Sequence, residues 1–250
     1  MTKIYSYDTV DHMNKAVINA ITDKAATAIQ HHNAFHLALA GGSTPKSIYE
    51  LMAGEEFHTL LPWDKMHIYF GDERCVPADH ADSNYRMAKQ ALLSKVPISD
   101  DHVHPIVVDV HNIPASAERY ETELKNHLPM DNSTPTFDLV LLGIGDDGHT
   151  ASLFPGTDIL NETGKWVAAV YVEKFAAWRI SITYPVINAA ANVFVIAAGS
   201  GKSNIVKEVL ASESAGTAYP VQEVQPRGEL VWYLDAAAAA HLPSSLMTAP

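Results

Sequence analysis

A chain of 250 residues, 47% hydrophobic and 18% charged, is long and apolar enough to close a real core as one α/β domain or two small ones. Its 17 basic and 29 acidic residues give a net charge of −12, which disfavours nucleic acid and anionic membranes as partners, and no basic run offsets it. No apolar stretch approaches the roughly 18 residues of a membrane span, and a single cysteine, Cys75, rules out an intramolecular disulfide and fits a reducing compartment.

The first residues, MTKIYSYDTVDHMNKA, contain no apolar signal core, so a cytoplasmic protein is expected. From Thr9 to His31 apolar residues recur at helical spacing (Val10, Met13, Val17, Ile21, Ala25, Ala28, Ile29). A strand, Phe35 to Ala40, follows. It is closed by Gly41-Gly42, and a helix starts near Thr44-Pro45, where proline after a Ser or Thr cap is a favourable first turn. The rhythm repeats with a strand at Met66 to Phe70, helices at Asp82 to Leu93 and Ala115 to Leu128, and a strand at Phe137 to Leu142. Further strands are expected at Trp166 to Val172, Arg179 to Thr183, Val193 to Ala197 and Leu230 to Leu234, with helices at Pro185 to Ala190, Ser203 to Leu210 and Ala236 to Ala240.

Continuous apolar strands alternating with helices predict an α/β fold, doubly wound, with a mostly parallel sheet covered by helices on both faces. With no repeat and no low-complexity linker, residues 1–250 are expected to form one domain. In such sheets ligands gather at the carboxyl ends of the strands. Four clusters follow strands here: Gly41-Gly-Ser-Thr44, Gly71-Asp-Glu-Arg74, Gly143-Ile-Gly-Asp-Asp-Gly-His149 and Gly199-Ser-Gly-Lys202. One shared site is the expectation.

Each cluster has a chemical and a plain structural reading. Glycines and a helix N-terminus after Gly41-Gly42-Ser43 suit a phosphate monoester, or simply make a strand-to-helix turn. Pro45 stands where a nucleophile elbow needs glycine, which disfavours a serine hydrolase. Gly143 to Gly148 matches G-x-G-x-x-G, and Glu173 could pass as the acidic residue of a dinucleotide site, but Pro155-Gly156 stops the helix that such a site needs after about two turns. His149 titrates near neutrality and suits a general base, with Asp147 or Asp146 to orient it; alternatively it is one surface histidine of thirteen. Arg74 either forks an anion or pairs locally with Glu73 or Asp72. Lys202 has Ile196 where a Walker loop needs glycine, so no nucleotide loop is expected, and Arg179 is ambiguous by itself. Without an H-x-x-x-H or H-E-x-x-H pair on a helix no metal site is expected, and His31, His32, His102 and His104 read as exposed.

Leu39-Ala-Gly-Gly-Ser-Thr-Pro45, Phe70-Gly-Asp-Glu-Arg74, Asp82-Ser-Asn-Tyr-Arg-Met87, Gly143 to Pro155 and Trp232-Tyr-Leu-Asp-Ala236 together resemble the 6-phosphogluconolactonase family over nearly the whole chain. The resemblance implies the doubly wound fold shared with glucosamine-6-phosphate deaminases. Those deaminases resemble Met-Asp-Glu-Tyr where this chain has Gly71-Asp-Glu-Arg74, and Ile-Ala-Phe-Asn-Glu-Pro where it has Thr150 to Pro155. The lost glutamate removes a partner of the ring-opening histidine, so the lactonase side is favoured. By resemblance, His149 is the base and Asp147 positions it. Gly41, Gly42, Ser43, Arg179 and Lys202 bind substrate, with a phosphate cradle at Gly42, Ser43, Arg179 and Lys202. Arg74 meets the phosphate or the sugar-acid end, and Asn84 orients hydroxyls. The implied reaction needs no metal or organic cofactor. The partner is a small phosphorylated lactone, the protein a monomer or homodimer, and backbone N–H groups near Gly145 or Gly42 are candidate oxyanion donors.

Overall fold

In the computed structural model, which describes residues 2–131, 134–211 and 219–248, the apolar runs lie side by side. The elements in chain order are β1 (Thr2–Tyr7), α1 (Val10–His32), β2 (Phe35–Leu39), α2 (Ser43–Met52), β3 (Met66–Phe70), β4 (Asp72–Arg74), α3 (Asn84–Ala88), α4 (Ile113–His127), β5 (Met130–Asp131), β6 (Thr134–Pro135), β7 (Leu139–Leu142), β8 (Val167–Val172), β9 (Ala177–Ile182), α5 (Tyr184–Ala189), β10 (Asn192–Ala197), α6 (Ser203–Ala211) and β11 (Glu229–Asp235). Six strands form one parallel sheet in the order β1-β11-β10-β7-β2-β3. Helices flank it, and the central β2 and β7 are buried at every residue, as strands covered on both faces must be. Among the described residues no helix is long and apolar enough to cross a membrane.

Local chemistry accounts for the helix ends. Thr9 caps α1 by accepting the His12 N–H at 3.1 Å, and Asn33 ends it in the left-handed region at φ 62°. Met13, Val17, Ile18, Ile21, Ala25 and Ala28 form the buried stripe between. The α2 helix differs from expectation. Its N-cap is Gly42, at φ 106°, with no side-chain cap, and Pro45 lies in the first turn behind Ser43 and Thr44.

Strand order places the switch point of the sheet between β2 and β7. From β2 the chain moves outward to β3, then returns to β7 on the other side and continues to β10 and β11. The turns leaving β2 and β7 therefore diverge and leave a crevice at their carboxyl ends. Gly41-Gly42 and Gly143 to His149 are those turns.

Five points of the sequence reading change. The strands near 166–172 and 179–183 do not join the parallel sheet; β8 and β9 pair antiparallel, with β4 on the far side of β9. Only Glu173 to Ala176 joins them, too short for the crossover a parallel pair requires. The segment Ala236 to Ala240 is a set of turns, because the Asp235 carboxylate takes the Ala238 N–H at 2.9 Å and bends the chain. The N-terminal β1 escaped the sequence reading since its edge position leaves it half-exposed, without a clear apolar face. Finally, His104 is buried (3% exposed) between β3 and α4. The predicted Asp82 to Leu93 helix starts at Asn84 and widens into a π-helical turn over Lys89–Leu93.

Candidate active site

A cavity of about 230 Å³ opens at the switch point, lined by Gly41, Gly42, Asp72, Arg74, Gly143 to Gly145, His149, Thr150 and Lys202, among others. It draws on all four clusters that the sequence placed after strands.

His149 sits in a tight turn whose glycines are there for space. The Gly145 N–H donates to the His149 carbonyl at 2.9 Å, and a Cβ on Gly145 would lie 1.9 Å from the imidazole. The ring therefore lies directly over the Gly145 backbone. Gly148 takes φ 73°, and a side chain there would also strike Tyr219. His149 Nδ1 is 2.5 Å from Asp147 Oδ1, and Lys174 Nζ donates to Asp147 Oδ2 at 2.9 Å. Phe154 stacks on the other face of the imidazole, 3.9 Å between centroids. With Nδ1 taken by Asp147, Nε2 is left for proton transfer. Burial pulls the His149 pKa below its ordinary value, and the Asp147 hydrogen bond opposes that pull only in part. Burial pushes Asp147 upward, but the bonds from His149 and Lys174 outweigh it and bring it down to about 2. The dyad is therefore a neutral imidazole beside a firmly ionised carboxylate.

Positive charge gathers opposite. Arg74 on β4 and Arg179 on β9 are cross-strand partners, two like charges side by side. The Nε of each is buried with no hydrogen-bond partner, and neither guanidinium joins an ion pair among the described residues. Arg74 Nη1 donates to the Asp82 carbonyl at 2.9 Å, while Arg179 lies over the Phe175 ring. Burial and then the Arg74 charge lower the Arg179 pKa. Two partly buried guanidiniums with unused donors suit an anion. Lys202 lines the same cavity and pairs with the exposed Asp146 at 2.6 Å. Its turn is held by Asp235, whose Oδ1 accepts the Gly199 N–H at 2.9 Å. The uncapped first turn of α2 adds backbone donors and the positive end of a helix dipole.

The acidic residues of the second cluster do structural work. The buried Glu73 accepts backbone N–H groups from Arg74 (2.8 Å), Asn84 (2.7 Å) and Tyr85 (2.8 Å) and the Ser83 hydroxyl (3.1 Å), so it ties α3 to β4. Burial raises its pKa against those bonds. Glu73→Ala is expected to orphan these donors and cost roughly 1–3 kcal/mol, a fall in Tm of at least about 2 °C. A thermal melt that matches the parent refutes this role. Asp72 accepts from the Asn84 amide at 3.1 Å and the Ser152 hydroxyl at 2.6 Å.

Of the residues expected to form the site, Gly41, Gly42, Arg74, His149 and Lys202 line the cavity itself. Ser43 opens α2 beside it, Asp147 stands behind His149, and Arg179 stands beside Arg74. Asn84 does not line the cavity. It is 3% exposed, packs so closely on Gly41 that a Cβ there would lie 2.1 Å from its Oδ1, and donates to Asp72. Its place supports Gly41 and Asp72. The local ion pair between Arg74 and Glu73 or Asp72 is not formed, and Asp147, not Asp146, is the histidine's partner. Gly145 is also removed as an oxyanion donor, its N–H being taken by His149. Sequence reasoning missed Lys174, Phe154, Ser152 and Asp235. Phe154 and Ser152 carried a signal through their nearness to His149, and Asp235 through its place in the Trp232 to Ala236 motif.

Residues 8–232 match the family described as glucosamine-6-phosphate isomerases/6-phosphogluconolactonase. The chain is 43% identical over 228 residues to a 6-phosphogluconolactonase of Nostoc sp., covering 90% of this chain and 92% of that protein. It is 40% identical over 223 residues to one of Synechocystis sp., covering 89% and 90% respectively. The solved structure of 6-phosphogluconolactonase from Trypanosoma cruzi superimposes with a TM-score of 0.84 at 30% identity, over 97% of both chains.

Proposed function

This chain belongs to the glucosamine-6-phosphate isomerase/6-phosphogluconolactonase family, and we propose that residues 1–250 act as one lactonase domain opening 6-phospho-D-glucono-1,5-lactone to 6-phospho-D-gluconate. The observation that carries the reading is the pairing, at one cavity, of His149, backed by an ionised Asp147, with Arg74 and its neighbour Arg179, whose Nε groups have no hydrogen-bond partner. The first is a base for water and the second a receptor for an anion. On this reading the reaction is the lactone-hydrolysing second step of the oxidative pentose phosphate pathway. The lone Cys75 supports a reducing, cytoplasmic setting.

His149 Nε2 takes a proton from a water molecule as its oxygen attacks the lactone carbonyl carbon. Asp147, held ionised by Lys174, stabilises the imidazolium that forms. As the ring C–O bond breaks, the imidazolium returns the proton to the departing ring oxygen, which becomes a hydroxyl. The new carboxylic acid ionises to solvent. Gly42, Ser43, Arg179 and Lys202 hold the phosphate, Gly41 binds substrate beside them, and Arg74 holds the phosphate or the sugar-acid end. The nearby Ser152 hydroxyl is committed to Asp72 at 2.6 Å, which supports water as the nucleophile.

Acid release from freshly prepared lactone, corrected for spontaneous opening, tests the activity. Absence of any rate above background overturns it. The pH profile tests the base. His149 acts when neutral, and burial lowers its pKa, so the acid limb of kcat/KM is expected below pH 6.5. Asp147→Asn removes a group that raises that pKa, so the limb should move to still lower pH while the plateau falls. A limb that moves upward, or one above pH 6.5 in the parent, refutes the assignment.

A further inference from the structure

Six of the thirteen histidines, His32, His36, His67, His102, His104 and His127, gather in ring contact at the end of the sheet opposite the cavity. His36 and His67 are the second residues of β2 and β3, at the strand starts, whereas the catalytic turns leave the strand ends. Within this group one oxygen is shared by two imidazoles. Glu123 Oε1 lies 2.7 Å from His104 Nδ1 and 3.3 Å from His127 Nε2, and the three donor atoms all lie within 4.8 Å of one another.

We propose that His104, Glu123 and His127 bind a divalent transition-metal ion of the Zn²⁺ type. Two imidazoles and one carboxylate are a donor set that such ions favour. Donors around a tetrahedral ion at ordinary bond lengths stand about 3.4 Å apart, a separation these side chains reach with small adjustments. Glu123 and His127 sit one turn apart at the end of α4, so a single helix face supplies two ligands. His104 arrives from the segment beside β3, fixed by its backbone N–H to the Ile68 carbonyl at 2.8 Å. Its other ring nitrogen, Nε2, is 3.2 Å from His67 Nδ1, the second-layer partner that fixes tautomer and ring orientation in such sites. Glu123 and His127 are 38% and 43% exposed, which leaves entry and room for water as a further ligand. Among the described residues the other three-donor cluster, His32, His36 and Asp138, has more of its donor atoms engaged elsewhere. There the His36 backbone N–H occupies Asp138 Oδ2, and the Tyr69 hydroxyl engages His36 Nδ1.

Sequence reasoning expected no metal because it sought two histidines on one helix. The structure pairs Glu123 and His127 with a histidine from another element. The ion would clasp α4 to the segment beside β3, far from the lactone, so it stabilises the fold and leaves the chemistry untouched. Calorimetric titration of metal-stripped protein with Zn²⁺ is expected to show one equivalent bound and a higher Tm with metal, and Co²⁺ should give visible ligand-field absorption. Glu123→Gln, at a half-buried position, and His127→Ala, at an exposed one, should weaken Zn²⁺ at least about tenfold and abolish the Co²⁺ band, with lactone hydrolysis unchanged. Saturable binding that is lost in these two variants and kept in His32→Ala and His149→Ala sustains the site. No saturable binding, unchanged affinity in both variants, or loss only with His32→Ala or His149→Ala overturns it.

Discussion

His149→Ala is expected to lower kcat for lactone opening by about 10²–10⁴-fold, toward the rate of spontaneous hydrolysis. The size follows from what the proposed mechanism asks of the side chain twice in one turnover: to take a proton from water, then to return it to the ring oxygen. Its placement leaves no substitute, since Asp147 is down at about 2 and is a poor base. Lys174 is spent on Asp147. KM should change little, because in the proposed binding mode the phosphate rests on Arg179, Lys202 and the α2 turn, whose own partners are Phe175, Asp146 and backbone groups and not the imidazole. Phe154 loses its stacking partner in the variant, so His149→Gln, which keeps more of the volume, separates packing from proton transfer. Rates for either variant within tenfold of the parent, after background correction, remove His149 from the role of base.

The fold was legible where periodicity is strong. The buried runs of β2, β3, β7, β10 and β11 and the stripe of α1 announce themselves, since covered parallel strands have no polar face to hide them. What stayed hidden depended on distance along the chain. No local pattern says that Arg179 faces Arg74 across an antiparallel ladder, or that Lys174 returns to Asp147, because the β8–β9 hairpin folds back from another part of the sequence. The same limit concealed the buried state of His104, which depends on Glu123 and His67 from different elements. Within the site, Gly41-Gly42 read as phosphate-friendly backbone and the N–H groups near Gly145 as candidate oxyanion donors. The structure divides their work: Gly42 opens α2, whereas Gly145 and Gly148 make room for the His149 ring and Tyr219.

Arg179→Met should trade catalysis for stability, in opposite directions. Two guanidiniums directly opposite on neighbouring strands repel, and burial adds a desolvation cost that is visible in the lowered pKa of Arg179. A dianionic phosphate reverses both terms by supplying the opposite charge and acceptors for the orphaned Nε groups. Methionine keeps the apolar stem over Phe175 and discards the charge. Losing a charge-assisted contact worth roughly 1.5–3 kcal/mol lowers kcat/KM by about 10- to 150-fold, with most of the change in KM. Without ligand, the Tm of the variant should equal or exceed that of the parent. Adding 6-phosphogluconate should raise the parent's Tm more than the variant's, since only the parent has the full receptor. A variant with unchanged KM and a lower Tm would show that Arg179 is a structural residue and that the anion is bound elsewhere. An unliganded variant more stable than the parent, with a raised KM, identifies the arginine pair as strain kept for the substrate.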